Sequence, residues 1–193
     1  MVVICVCGLT GCGKSSVARR LADRYGLSYF SGGAALRALA VEAGYKPFGR
    51  GWWESDEGLM FLRRRLEDSG FDRRVDEKLL ELAKGGNAVL DSWTMPWLFK
   101  GGFKVWFEAS PMVRAGRVAK RDRVGVGEAL RMLREKDDLT RRIYKGLYGF
   151  VLGEDFGPFD LILDTDFLNV NEVFGVVCLV VDRWVFGGRV GNE

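Results

Sequence analysis

The residues best suited to chemistry stand near the start of the chain. In Gly8-Leu9-Thr10-Gly11-Cys12-Gly13-Lys14-Ser15, Gly8 and Gly13 have four residues between them and are followed at once by Lys and Ser. Such a run wraps backbone N–H groups around phosphate oxygens, and the positive end of the helix that follows adds to the anion site. Gly8, Gly11, Cys12, Gly13, Lys14, Ser15 and Ser16 are therefore the candidate nucleotide-binding loop, with ATP as the expected donor. Lys14 would reach its β and γ phosphates as a point charge, and the Ser15 hydroxyl would ligate Mg²⁺.

Asp91 closes the apolar run Ala88-Val89-Leu90. A carboxylate at the C-terminal end of a strand opens onto the same crevice as a phosphate loop, where it can hold metal-bound water or hydrogen-bond an acceptor. The alternative is a cap for a helix over Trp93 to Phe99. A second source of charge is the stretch Arg114 to Arg142, in which Arg117 and Arg121 lie one helical turn apart and share a face. Phosphoryl transfer spreads negative charge over equatorial oxygens, so cations that fold over the phosphates stabilise it. Lys14, Asp91, Arg117 and Arg121 are the catalytic candidates. The chain has no histidine, which removes Ser-His and Cys-His nucleophile pairs and leaves carboxylates, cations, backbone amides and bound metal.

These residues need a frame to hold them. Short apolar, β-branched runs at Val2 to Cys7, Leu27 to Phe30, Ala88 to Leu90, Lys104 to Phe107 and Asp160 to Leu163 predict five strands. Segments of helical periodicity separate them, with Val17, Leu21 and Tyr25 in one and Leu79, Leu80, Leu82 and Ala83 in another. Strands alternating with helices predict an α/β fold, a five-stranded parallel sheet flanked by helices. Two segments break the alternation where mobile parts of an enzyme belong: Gly44 to Phe71, with Gly49-Arg50-Gly51-Trp52-Trp53-Glu54 and Arg63-Arg64-Arg65, and the arginine-rich Arg114 to Arg142. Trp52, Trp53, Trp93 and Trp97 offer either a stacking surface for a flat acceptor or core packing.

With 193 residues, 48% of them hydrophobic, the whole chain 1–193 suits one domain with a sizeable core, and a net charge of +3 does not by itself call for a nucleic-acid or lipid partner. Cys5, Cys7, Cys12 and Cys178 lack zinc-site spacing and read as reduced thiols, which suits the cytoplasm. Met1 to Cys7 has no basic lead-in of a secretory signal, and Val173 to Val181 is too short to span a bilayer. The glycine-rich tail after Phe186 reads as frayed.

The loop, Ser31-Gly32-Gly33 with Arg37, the stretch Ala109 to Arg121, and Tyr148-Gly149-Phe150 before Pro158 to Thr165 together resemble the archaeal type of cytidylate kinase over roughly residues 1 to 180. The resemblance implies a P-loop NTPase of adenylate-kinase-like fold, with an acceptor-binding insertion (31–86) and an arginine-rich lid (114–150). It implies transfer of phosphate from ATP to CMP or dCMP. It also implies that Ser31, Arg37, Asp91 and a later arginine, Arg142, contact the acceptor, while Arg117 and Arg121 clamp phosphates. Two departures stand out, since the family follows the Asp91 position with Gly-Arg and has Arg-Tyr near Tyr144, where this chain has Ser92-Trp93 and Ile143-Tyr144. Two other readings follow. One is a kinase for a hydroxyl of a metabolite or RNA end, using Asp91 as base. The other is an ATP-binding, RNA-associated regulator, suggested by Arg63 to Arg65 and Arg131 to Arg142. The expected partner is a small-molecule acceptor, with no membrane, and the chain acting as a monomer or a homodimer.

Overall fold

Strand β1 (Val3–Gly8) is buried along its whole length and feeds two faces of the core at once, because side chains alternate across a strand. In the computed structural model, which describes residues 1–49 and 51–187, it lies at the centre of a five-stranded sheet. Around it stand β2 (Ser28–Ser31), β3 (Ala88–Asp91), β4 (Phe103–Glu108) and β5 (Leu161–Asp164), in the order β2-β3-β1-β4-β5. Every pairing is parallel. The expected five parallel strands are therefore present, each bound within a residue of its predicted place. Val6 pairs with Asp91 and Gly8 with Phe107, which fixes the loop after β1 beside the C-terminal ends of β3 and β4.

Ile4 and Val6 pack against Val17, Ala18 and Leu21 of α1 (Lys14–Tyr25) and Val173, Val177 and Val181 of α8 (Val170–Val181). On the opposite face Val3 and Cys5 meet Leu36 and Leu39 of α2 (Gly32–Glu42) and Val75, Leu79 and Ala83 of α4 (Gly70–Gly85). Both sheet faces are thus covered. The four cysteines are free and buried, and burial pushes the Cys12 thiol up, so it serves as packing under the loop rather than as a nucleophile.

The two irregular segments become helical pairs. Between α2 and α4 run a 3₁₀ turn (Trp52–Glu54) and α3 (Asp56–Glu67), whose N-cap Ser55 accepts a hydrogen bond from the Gly58 N–H. After a short α5 (Met95–Leu98) and β4, α6 (Pro111–Asp122) and the long α7 (Val126–Tyr148) form the arginine-rich arm. This arm has its own small core of Ala115, Val118, Ala119, Ala129 and Leu133. The buried stripe of α7 is not purely apolar, since Lys136, Asp137 and Thr140 share it with Leu133, Leu139, Ile143 and Tyr144. No helix among the described residues is long and apolar enough to cross a membrane. Arg50 and the tail from Gly188 onward lie outside the described residues, so the reading of a frayed end has no counterpart in them.

Candidate active site

The loop after β1 is shaped by what a side chain would strike. A Cβ on Gly8 would lie 2.5 Å from the Phe107 carbonyl oxygen, so this glycine lets β1 and β4 close beneath the loop. Gly13 has φ 93° and caps α1 without a side chain, and a Cβ there would meet nothing within 4 Å. The N-terminus of α1 therefore has no side-chain cap and the space beside Gly13 is open, which suits an anion at a helix N-terminus.

Beneath the loop, buried Arg114 donates from Nη1 to the Thr10 carbonyl at 3.1 Å and from Nη2 to Asp137 at 2.7 Å, fastening the loop to α6 and α7. Arg117 donates to the Gly11 carbonyl at 3.4 Å and to the Thr165 hydroxyl at 3.0 Å, and so joins the loop to the end of β5.

Two cavities open on either side of Lys14. One, of about 440 Å³, is lined by Gly11 to Ser16, Arg117, Thr165 and the start of α8. The other, of about 360 Å³, is lined by Ser31, Arg37, Asp91, Trp93 and residues of α3, α4 and α7. They share four residues, Thr10, Lys14, Ser15 and Arg121. A donor nucleotide in the first and an acceptor in the second would meet at that point.

Most of the predicted residues gather here. Gly11, Cys12, Gly13, Lys14, Ser15 and Ser16 line the first cavity, whereas Gly8 acts from below through packing. Ser31 and Arg37 line the second, the former also capping α2 and the latter donating to the Gly49 carbonyl at 3.3 Å. Asp91 is buried at the end of β3 and accepts a hydrogen bond from Tyr29 at 2.9 Å. It caps no helix, since α5 begins after Thr94. Arg121 belongs to both cavities and Arg117 to the first alone.

Arg142 is a correction. It lies on the outer face of α7 with its side chain 60% exposed, 3.9 Å from Asp138, and lines neither cavity. The helix turns its preceding stripe inward instead, which brings Lys136 into the site. The tryptophans divide as well. Trp53 and Trp93 line the acceptor cavity, with the Lys14 ammonium 5.4 Å from the Trp93 ring centre. Trp52 packs on Ala40 and Phe61, and Trp97 stacks on Phe150 at 3.9 Å. The basic run Arg63 to Arg65 does not make one surface patch either. Arg63 pairs with Glu135, Arg64 lies over Phe71, and Arg65 is buried.

The site also holds charges with no counterpart in the sequence reading. Glu54, from the 3₁₀ turn, accepts from Lys136 at 2.5 Å and from Arg121 at 2.8 Å, tying the acceptor-side insertion to both helices of the arm. Burial alone would raise the Glu54 carboxyl, but Lys136 and Arg121 outweigh it and hold the group below the usual range. Burial pulls the Lys136 ammonium down, with Glu54 opposing and Lys14 and Arg121 adding to the fall. Further in, Arg65 pairs with Asp72, and Asp76 accepts from Thr94 at 2.5 Å and Tyr148 at 2.7 Å. Burial raises Asp76 to about 6 despite those hydrogen bonds. A signal for two of them exists in the sequence, since each falls at helical spacing with apolar residues of its own helix, Lys136 with Leu133, Leu139 and Ile143, and Arg65 with Phe61 and Leu62.

A divalent ion fits the donor set in a limited way. Among the described residues no cluster of three or more His, Cys, Asp or Glu side chains is placed to hold a metal, so protein ligands would be few. That suits Mg²⁺ carried largely by phosphates and water.

The profile of the cytidylate kinase-like family matches residues 3–167. A cytidylate kinase of Pyrobaculum islandicum is 32% identical over 187 residues, covering 94% of this chain and 95% of its own. A cytidylate kinase of Pyrococcus horikoshii is 32% identical over 193 residues, covering 100% and 94%. Among solved structures, shikimate kinase from Bacteroides thetaiotaomicron superposes with a TM-score of 0.57 at 13% identity, covering 94% of this chain and 98% of its own, a likeness of fold alone.

Proposed function

The chain belongs to the cytidylate kinase-like family, and we propose that it transfers the γ-phosphoryl group of ATP to a nucleoside monophosphate, CMP or dCMP, giving ADP and the diphosphate. The observation that carries this reading is the meeting of two cavities at Thr10, Lys14, Ser15 and Arg121. ATP fits the cavity that holds the loop amides and Arg117, and the acceptor fits the one that holds Ser31, Arg37 and Asp91.

Lys14 and the N-terminal amides of α1 hold the β and γ phosphates, and Arg37 meets the acceptor phosphate. Lys136 supplies a cation where the resemblance expects an arginine after Asp91, because Trp93 stands there and Lys136 lies 5.9 Å from its ring centre. Arg121 and Lys136 leave Glu54 for the transferring group as charge develops on it, in a cavity that Trp53 and Trp93 also line. Ser15, with Asp91 across the same cavity, would hold Mg²⁺ through phosphate and water oxygens. When bound, the ion neutralises charge on the β and γ phosphates. A phosphate acceptor is already anionic near neutral pH and needs no strong base, so Asp91 positions rather than deprotonates.

The test is ADP release from ATP and Mg²⁺ with CMP, dCMP, UMP, AMP or GMP, with Lys14→Ala as the blank. Turnover on CMP or dCMP is expected, falling on the order of 10²–10³-fold in the variant. No turnover above the blank on any of the five overturns the proposal and directs the search to hydroxyl acceptors.

A further inference from the structure

Four residues of the acceptor cavity are shared with the ATP side, and those mark where phosphates meet. Arg65, Asp72, Asp76 and Tyr144 line the acceptor cavity alone and are not among the shared residues. Arg65 is 1% exposed. Its guanidinium turns Nε and Nη2 onto the two carboxylate oxygens of Asp72, at 3.0 and 2.6 Å, and Nη2 also reaches the Tyr144 hydroxyl at 3.3 Å. That leaves Nη1 on the opposite edge, buried and with no hydrogen-bond partner among the described residues. An unmade hydrogen bond from a buried charged donor is costly, so a group left in this state is matched to an acceptor that arrives with a ligand.

The ligand at this depth is the base of the acceptor nucleotide, and its chemistry can be read from the floor. Nη1 offers donors, while Asp76 offers carboxylate oxygens that retain lone pairs beyond those used by Thr94 and Tyr148. The edge of cytosine presents the complement, with acceptors at O2 and N3 and a donor at the N4 amino group. Uracil would set its O4 carbonyl against the carboxylate and its N3–H against the guanidinium. Resting on the nucleoside monophosphate kinase reading, we propose that Arg65 is a specificity-determining residue: Nη1 donates to the O2/N3 edge of cytosine while Asp76 accepts from N4. This assignment also bears on the departure at Ile143. Arg65 comes from a different helix and reaches Tyr144, the neighbour of the position where the resemblance expects an arginine.

Two variants test it without stranding a buried charge. Arg65→Lys keeps a cation beside Asp72 but cannot fork to both Asp72 and a base, and Arg65→Met combined with Asp72→Asn removes both charges. A third, Asp76→Asn, places an amide donor where uracil O4 would lie. For each, a thermal melt reports folding, kcat/KM is compared for CMP and UMP, and calorimetry compares binding of the nucleosides cytidine and uridine. The preference for CMP over UMP is expected to fall about 10- to 100-fold in the Arg65 variants, with the cytidine-to-uridine binding ratio falling in parallel. KM for ATP is expected to stay within about two-fold. Asp76→Asn is expected to raise UMP relative to CMP. Turnover on CMP with an unmoved base preference in the folded variants, or a wild-type protein indifferent to the base, overturns the assignment and leaves the kinase reading standing. No turnover on any monophosphate, with cytidine preferred over uridine and that preference lost in the variants, sinks the kinase reading and keeps Arg65. Neither turnover nor base preference overturns both.

Discussion

The two sides of the active site are built by different means. On the ATP side the chain uses backbone: the loop from Gly8 to Gly13, the open N-terminus of α1, and one contiguous motif. The few side chains there, such as Arg114 and Arg117, chiefly fasten the loop to its neighbours through the Thr10 and Gly11 carbonyls. On the acceptor side it uses buried charge gathered from four distant segments, with Glu54, Arg65, Asp72, Asp76 and Lys136 all at most 5% exposed. A phosphate is recognised by any cluster of N–H groups, so backbone suffices and side chains are free to vary. A base must be told from its neighbours by paired donors and acceptors, and these must be held rigid by burial. The difference teaches that chemistry and stability are separable on one side of this site and entangled on the other.

Lys136→Met tests that entanglement at its strongest. Among the described residues Lys14 makes no ion pair, so its loss falls chiefly on turnover, but removing Lys136 leaves buried Glu54 with Arg121 as its remaining partner among them. Breaking a buried pair by deleting one member costs about 3–5 kcal/mol, and the variant is expected to lose stability of that order in urea unfolding together with about 10²-fold in kcat. Adding Glu54→Gln to it is expected to recover most of the stability and none of the turnover. If the single variant unfolds at the wild-type midpoint, or the double variant regains activity, the acceptor side is not built as described.

A smaller effect with a pH signature comes from Asp76, which faces Thr94, Tyr148, Asp72 and Arg65 and is raised to about 6 by burial. A carboxyl whose folded value lies above its unfolded value binds protons more tightly when folded. Its neutral form therefore favours the fold below about pH 4, and that contribution is lost as pH rises through 6. Asp76→Asn keeps the neutral state at every pH. The variant is expected to match the wild type near pH 4 and to exceed it by about 2–3 kcal/mol at neutral pH. A difference in melting temperature that does not change between pH 4 and 7 contradicts this account of the buried floor.

The same contrast governs how far the sequence could be read. Five strands, their parallel arrangement and the phosphate loop are legible because each rests on local pattern: apolar runs, strand–helix alternation and contiguous spacing. Asp91 is legible for the same reason, since it ends an apolar strand, though the helix-cap alternative is settled only by α5 starting after Thr94. The acceptor side is not local. Lys136, Arg65 and Asp76 each look like solvated helix residues until their place on a buried stripe is counted, and their partners are as far away as the 82 positions that separate Glu54 from Lys136. Arg142 is the later arginine that the resemblance implies, but helical phase turns position 142 outward and 136, 140 and 143 inward.

Arg142→Ala therefore carries the smallest expected effect and the sharpest test of helical phase. Its one ion pair among the described residues, with Asp138 four residues earlier, spans 3.9 Å between side chains 60% and 69% exposed. Pairs of this kind contribute roughly 0.3–0.5 kcal/mol at most, and salt screens them further. The variant is expected to melt within about a degree or two of the wild type, with kcat and KM for CMP inside two-fold or so. A rise of ten-fold or more in KM for the acceptor would mean that α7 rolls inward when substrate binds, bringing Arg142 to the phosphate and carrying Lys136 away from Glu54. Comparing Arg142→Ala with Lys136→Met under saturating ATP separates the two arrangements, because in each only the inward-facing cation changes the response to CMP.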